Sequence, residues 1–159
     1  MEPYRYYERE IHYYETDKMG VVHHSNYARI LEECRIDMMR YYGIPMVEIE
    51  ARGFMIPVLE LTEKFVESIR FGETIRVLAE IVKVSGYKFC IQYLIYDQEM
   101  KTIKHRATTT HCFLDSSFKP VSMKIVAPEL FAKLASLVTP GAIGKEERMS
   151  LEKKEAEDD

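Results

Sequence analysis

One amphipathic helix signal, followed by a train of alternating segments, confines this chain to few architectures. Between residues 26 and 42 the apolar positions Tyr27, Ile30, Leu31, Cys34, Met38 and Tyr41 fall at gaps of three and four, on one helical face. Ser25 stands where an N-cap is expected. Gly43 and Pro45 supply a stop. A helix of that length with a single apolar stripe needs a sheet to lie on. Four strand-like segments follow, over 55–68, 74–85, 87–97 and 102–115. Turn residues separate them at 70–73, at Ser85-Gly86 and at 97–101. Such short connections imply antiparallel neighbours. The aromatic-rich stretch 5–14 reads as a first strand. Residues 46–52 read as a short helical turn or loop. Over 128–138 the residues Leu130, Phe131, Leu134 and Leu137 share one face, with Pro128 suited to a first turn. Strand, long helix, four strands and short helix make an α+β chain with an antiparallel sheet.

At 159 residues and 47% hydrophobic content, the chain has material for one core. Residues 1–140 are expected to form that domain. Residues 141–159 are nearly all charged after Gly144 and have little to bury, so they read as a mobile tail or a frayed, solvated helix. A net charge of -4 gives no basic footprint for nucleic acid. No apolar run is long enough to span a bilayer. The N-terminus lacks the apolar core of a signal peptide. Cys34, Cys90 and Cys112 are odd in number and far apart, which points to free thiols in a reducing cytoplasm.

The chemistry is concentrated between the first strand and the long helix, in Tyr13-Tyr14-Glu15-Thr16-Asp17-Lys18-Met19-Gly20-Val21-Val22-His23-His24-Ser25-Asn26-Tyr27. A carboxylate in a loop can serve as nucleophile or base. The first amides of the helix that follows have no intrahelical acceptor, so they can polarise a carbonyl and steady an oxyanion. Gly20 allows a tight turn and a close approach of backbone to substrate. Glu15 reads as a structural or orienting acid, with its partner a basic group on a neighbouring segment.

This stretch resembles the N-terminal motif of the hotdog-fold acyl-CoA thioesterases, the 4-hydroxybenzoyl-CoA thioesterase-like family. Tyr14, Glu15, Asp17, Gly20, Val21, Val22, Asn26 and Tyr27 fall in that motif's order. His23 departs from it, because family members often carry an aromatic there. The resemblance implies a hotdog fold, in which an antiparallel sheet wraps one long helix. It implies hydrolysis of an acyl-CoA thioester without a cofactor or metal. Asp17 would be the nucleophile or general base, and His24 the oxyanion donor through its backbone amide. Gly20, Val22, His23 and Asn26 would line the substrate site. It further implies a homodimer or homotetramer, with sheets joined edge to edge and active sites between subunits. Acyl carrier protein is an alternative carrier of the acyl group, and a non-catalytic acyl-thioester-binding module is the alternative of a different class.

The rival carboxylates are Glu32 and Glu33 on the helix, which otherwise read as its polar edge. His23-His24 has no ligand-spaced partners for a metal. No Gly-x-Ser-x-Gly elbow or glycine-rich phosphate loop occurs. A coenzyme A nucleotide would therefore meet scattered cations such as Lys83, Lys88, Lys104 and Arg106, which solvated strand edges explain equally well. Met19, Met38, Met39 and Met55 fit an adaptable acyl tunnel or, individually, the core.

Overall fold

A computed structural model describes residues 1–139, and the tail expected over 141–159 lies outside the described residues. Five strands form one sheet: β1 (Tyr7–Glu10), β2 (Val58–Phe65), β3 (Thr74–Val84), β4 (Lys88–Asp97) and β5 (Ile103–Cys112). Their order is β1-β3-β4-β5-β2, antiparallel at every pairing. The long helix α1 (Tyr27–Tyr41) lies on one face of the sheet. The shorter helices α2 (Met46–Ala51), α3 (Met123–Val126) and α4 (Pro128–Ser136) are the other α-helices of the described residues.

The periodicities meet in one core. Alternate residues of β3 (Ile75, Val77, Ala79, Ile81) and of β4 (Phe89, Ile91, Tyr93, Ile95) point to the same side. Tyr27, Ile30, Leu31, Cys34 and Met38 of α1 cover them. Burying each large apolar side chain in this layer stabilises the fold by roughly 1.5–3 kcal/mol. Helix α1 stops as its sequence requires. Gly43 takes a left-handed φ of +69°, and the Ile44 amide reaches back to the Met39 carbonyl at 2.8 Å. Lys133 of α4 donates to the freed Gly43 carbonyl at 2.9 Å.

Some local expectations change. The first strand is four residues long, because the Glu15 carboxylate captures the His12 amide at 2.8 Å and turns Tyr13–Glu15 into a 3-10 turn. Ser25 does not cap α1. It lies inside a 3-10 turn, His24–Asn26, with its own amide and hydroxyl directed to His23 Nδ1. Strand β2 does not pair with β3, which follows it in the chain. It crosses to the far edge and pairs with β5. Residues 123–126 form a helix that periodicity over four residues is too short to reveal.

The result is the α+β hotdog arrangement, a sheet wrapped around one helix. No helix among the described residues is long and apolar enough to cross a membrane.

Candidate active site

The motif loop is built on Glu15. Its side chain is buried and receives both terminal nitrogens of Arg9, at 2.8 and 2.9 Å. Arg9 also contacts Glu33 of α1 at 3.0 Å, and Tyr7 donates to the same Glu33 oxygen at 3.2 Å. Burial raises the Glu15 pKa. The Arg9 hydrogen bonds, the His12 amide and the Arg9 charge outweigh burial and hold it below the ordinary carboxylate range. Glu15 thus has the basic partner expected on a neighbouring segment, and β1 supplies it as Arg9. Glu33 is committed to the same ion-pair network. Glu32 pairs with Arg35 at 3.5 Å on the helix surface.

The Glu15 backbone carries the rest of the loop. Its carbonyl accepts the His23 amide at 2.9 Å and the Asn26 side-chain amide at 2.8 Å. Asn26 therefore ties the start of α1 back to the beginning of the motif. A bridge between Thr16 and Val22 closes the intervening segment, and the Asp17 amide meets the Val21 carbonyl at 2.9 Å. Residues 17–20 form a turn in which the Gly20 amide donates to the Asp17 carbonyl at 2.9 Å. Gly20 has φ +76°, which an L side chain rarely adopts.

Within this brace two groups remain open. Asp17 Oδ1 accepts the Met19 amide at 2.8 Å, while Oδ2 has no hydrogen bond among the described residues. The His24 amide has no acceptor among the described residues either. His24 is exposed at the first position of the turn that leads into α1. His23 is half-buried, its ring 4.1 Å from that of His24. Val22 is buried in the core, with its amide on the Ile69 carbonyl at 2.8 Å.

Beside α1 lies a cavity of about 310 Å³, lined by Arg35, Ile36, Met39, Met46, Ile56 and Phe89 among others. Met39 faces it. Met38 is core, Met55 half-buried and Met19 exposed. Of the strand cations considered for a nucleotide, Lys104 is no solvated edge residue. It is buried and paired with Glu67 at 3.0 Å.

Sequence reasoning passed over a polar set on the helix-facing side of the sheet. Arg35 donates to the Tyr93 hydroxyl at 3.3 Å. Tyr93 contacts Thr109 at 3.0 Å, and Thr109 contacts His111 Nε2 at 2.8 Å. Further along β5, His105 is fully buried, with Nε2 3.4 Å from Glu63 of β2. Burial pushes both histidines down to about 4, so they are neutral imidazoles at neutral pH. The signal was present in the parity of β5. Positions 105, 107, 109 and 111 share the inward face and read His, Ala, Thr, His, where a core strand would carry aliphatics.

The model of the thioesterase-like superfamily matches residues 11–134, which spans the loop, α1 and all of the sheet except β1. The chain belongs to that superfamily. A putative acyl-CoA thioesterase, YneP of Bacillus subtilis, is 31% identical over 77% of this chain and 88% of its own. The acyl-acyl carrier protein thioesterase ATL3 of Arabidopsis thaliana is 27% identical over 72% of this chain and 60% of its own. Among solved structures, a DHNA-CoA thioesterase from Staphylococcus aureus superposes with a TM-score of 0.79 at 27% identity, covering 82% of this chain and 88% of that one. The hotdog fold and a thioester hydrolase's reaction follow from this membership.

Proposed function

We propose that this chain hydrolyses acyl-CoA thioesters at the 17–24 loop, releasing a carboxylic acid and free coenzyme A. One observation carries the reading. A braced loop leaves one oxygen of Asp17 and the amide of His24 both without partners. The amide receives the thioester carbonyl oxygen as it gains negative charge. Asp17 then acts in one of two ways. As nucleophile, its carboxylate adds to the carbonyl carbon and the tetrahedral adduct collapses by expelling the thiolate. The resulting mixed anhydride is cleaved by water. As general base, Asp17 takes a proton from a water that attacks the same carbon. Gly20 lets the backbone come close to the substrate, and Asn26 fixes the helix start that presents the amide. Val22 contributes from beneath, as the core contact that seats the loop. The cavity beside α1 suits the acyl group.

The active form is a homodimer or a pair of dimers. Strand β2 is an eight-residue sheet edge whose Leu59, Leu61 and Phe65 are exposed. Such an edge invites pairing with a second copy. A cytoplasmic location fits three free cysteines.

The test is Asp17→Asn, which keeps size and the turn contact but removes the carboxylate. Turnover measured by thiol release should fall by roughly 10²-fold or more. Glu32→Gln and Glu33→Gln should lose much less. A panel of acyl-CoAs beside acyl carrier protein thioesters identifies the carrier. A wild-type chain that releases thiol from none of them is a binding module instead.

A further inference from the structure

The cavity beside α1 carries a polar feature that a hydrocarbon chain does not require. Five of its lining residues are apolar: Ile36, Met39, Met46, Ile56 and Phe89. Among them stands Arg35, whose side chain is only 13% exposed. A guanidinium has five N–H donors and keeps its charge in a protein. Arg35 uses one donor on the Tyr93 hydroxyl at 3.3 Å and meets Glu32 loosely at 3.5 Å. Glu32 is 61% exposed, so water screens that pair. The remaining donors of Arg35 have no partner among the described residues. A largely desolvated cation with unused donors is costly unless something accepts from it.

From Arg35 a buried polar chain runs into the core. Arg35 can only donate, so the Tyr93 oxygen accepts, and the Tyr93 proton is left for Thr109 at 3.0 Å. Thr109 then donates to His111 Nε2 at 2.8 Å. Tyr93, Thr109 and His111 are all buried. The chain ends at His111 Nδ1, which has no partner, and the His111 ring stacks on the cavity residue Phe89 at 4.7 Å. Aliphatic side chains at 109 and 111 would fill the same core positions without burying polar atoms. What the polar chain adds is orientation. A hydrogen-bonded row locked by packing fixes where the guanidinium sits and which of its donors stay unused.

We propose that Arg35, held by the chain of Tyr93, Thr109 and His111, is a specificity-determining residue that donates to an oxygen at the far end of the acyl group. This rests on the reading of the loop as the hydrolytic site and of the cavity as the acyl pocket. The oxygen is neutral. Glu32 and Glu50 also line the cavity, which sets two negative charges against the one of Arg35. A terminal carboxylate would meet net repulsion there. A hydroxyl accepts from Arg35 and can donate to a glutamate. Met39 and Met46 adapt to the hydrocarbon that leads to it.

The experiment compares straight-chain acyl-CoAs of rising length, each beside its terminal-hydroxyl and terminal-carboxylate analogues, by kcat/KM for thiol release. At the length that fits, the hydroxyl analogue should be preferred over the plain chain by roughly 10–100-fold, the scale of one hydrogen bond to a charged group. The carboxylate analogue should be the poorest of the three. Arg35→Met keeps an unbranched stem but removes the donors, and the hydroxyl preference should fall to near one. Tyr93→Phe keeps the ring and should weaken the preference without abolishing it. Near-ultraviolet circular dichroism checks the fold of both variants. No preference at any length, a preference for the carboxylate, or an Arg35→Met loss equal for all three substrates would overturn the proposal. Calorimetric binding of the same compounds to the Asp17→Asn protein needs no turnover. There too the hydroxyl analogue should bind more tightly, and adding Arg35→Met should remove the difference. Equal binding of hydroxyl and plain chains refutes the contact. If the wild type releases thiol from none of the compounds, the hydrolytic reading fails while the calorimetry still decides the role of Arg35.

Discussion

Two carboxylates flank the motif loop, and they are treated in opposite ways. Glu15 has the two terminal nitrogens of Arg9 and the amide of His12, and it is held below the ordinary range. Glu63 has one long contact to a neutral imidazole and is pushed above it. Both side chains are mostly removed from water. The difference lies in compensation. A buried charge with matched partners acts as a rigid strut, because losing any partner leaves the others uncompensated. A buried charge with too few partners stays responsive to protons and to what binds next to it. The first kind suits the frame of a site and the second suits its working parts.

The largest test of this contrast is Glu15→Ala. It strands Arg9, whose side chain is 9% exposed, beside a single remaining acid, Glu33. Stability in urea should fall by about 3–5 kcal/mol, the range for breaking a buried pair. A loss under about 1 kcal/mol would mean that the loop finds other support. Next in size is the response of the wild type to acid. His105 and His111 titrate near 4 in the folded state and near 6.5 when unfolded. Between those values the unfolded chain binds more protons, so stability is full above about 6.5 and falls as pH drops towards 4. Chemical denaturation at a series of pH values should show that slope, and His111→Gln should flatten it. Glu15 adds a separate loss at lower pH, because its depressed pKa keeps it ionised until then.

Smaller still is the stability effect of Glu63→Gln. The change should stay within about 1 kcal/mol at neutral pH, because the site loses a poorly compensated charge but keeps an acceptor. A drop as large as that of Glu15→Ala would erase the distinction between the two acids. The smallest effect serves as the baseline. Glu99 and Lys101 form an exposed pair at 2.6 Å, with side chains 68% and 74% exposed. Lys101→Ala should leave the melting midpoint unchanged within error, since such pairs are screened by solvent. A measurable shift there would show that pairing geometry outweighs burial in this protein.

The sequence by itself determined the long helix, the long strands and the place of the motif loop, but not the length of β1 or the short helix α3. Apolar residues at helical spacing over 27–41 and alternation through β3 and β4 are local signals, written in consecutive residues, and the structure follows them to within a few positions. The motif is equally local, and its resemblance to the thioesterase family is what singles out Asp17, Gly20, His24 and Asn26. Glu15 reads as a structural or orienting acid from its place in the motif, and its partner Arg9 lies only six residues away. Tertiary structure decided what depends on distant residues meeting. Strand β2 pairs with β5 across an intervening hairpin, and no local pattern encodes that partner. Glu63 meets His105 only through that pairing, 42 positions away. The opposite pKa shifts of Glu15 and Glu63 follow from the same fact. A side chain's type is fixed by sequence, but its solvation and its partners are fixed by whatever the fold brings against it.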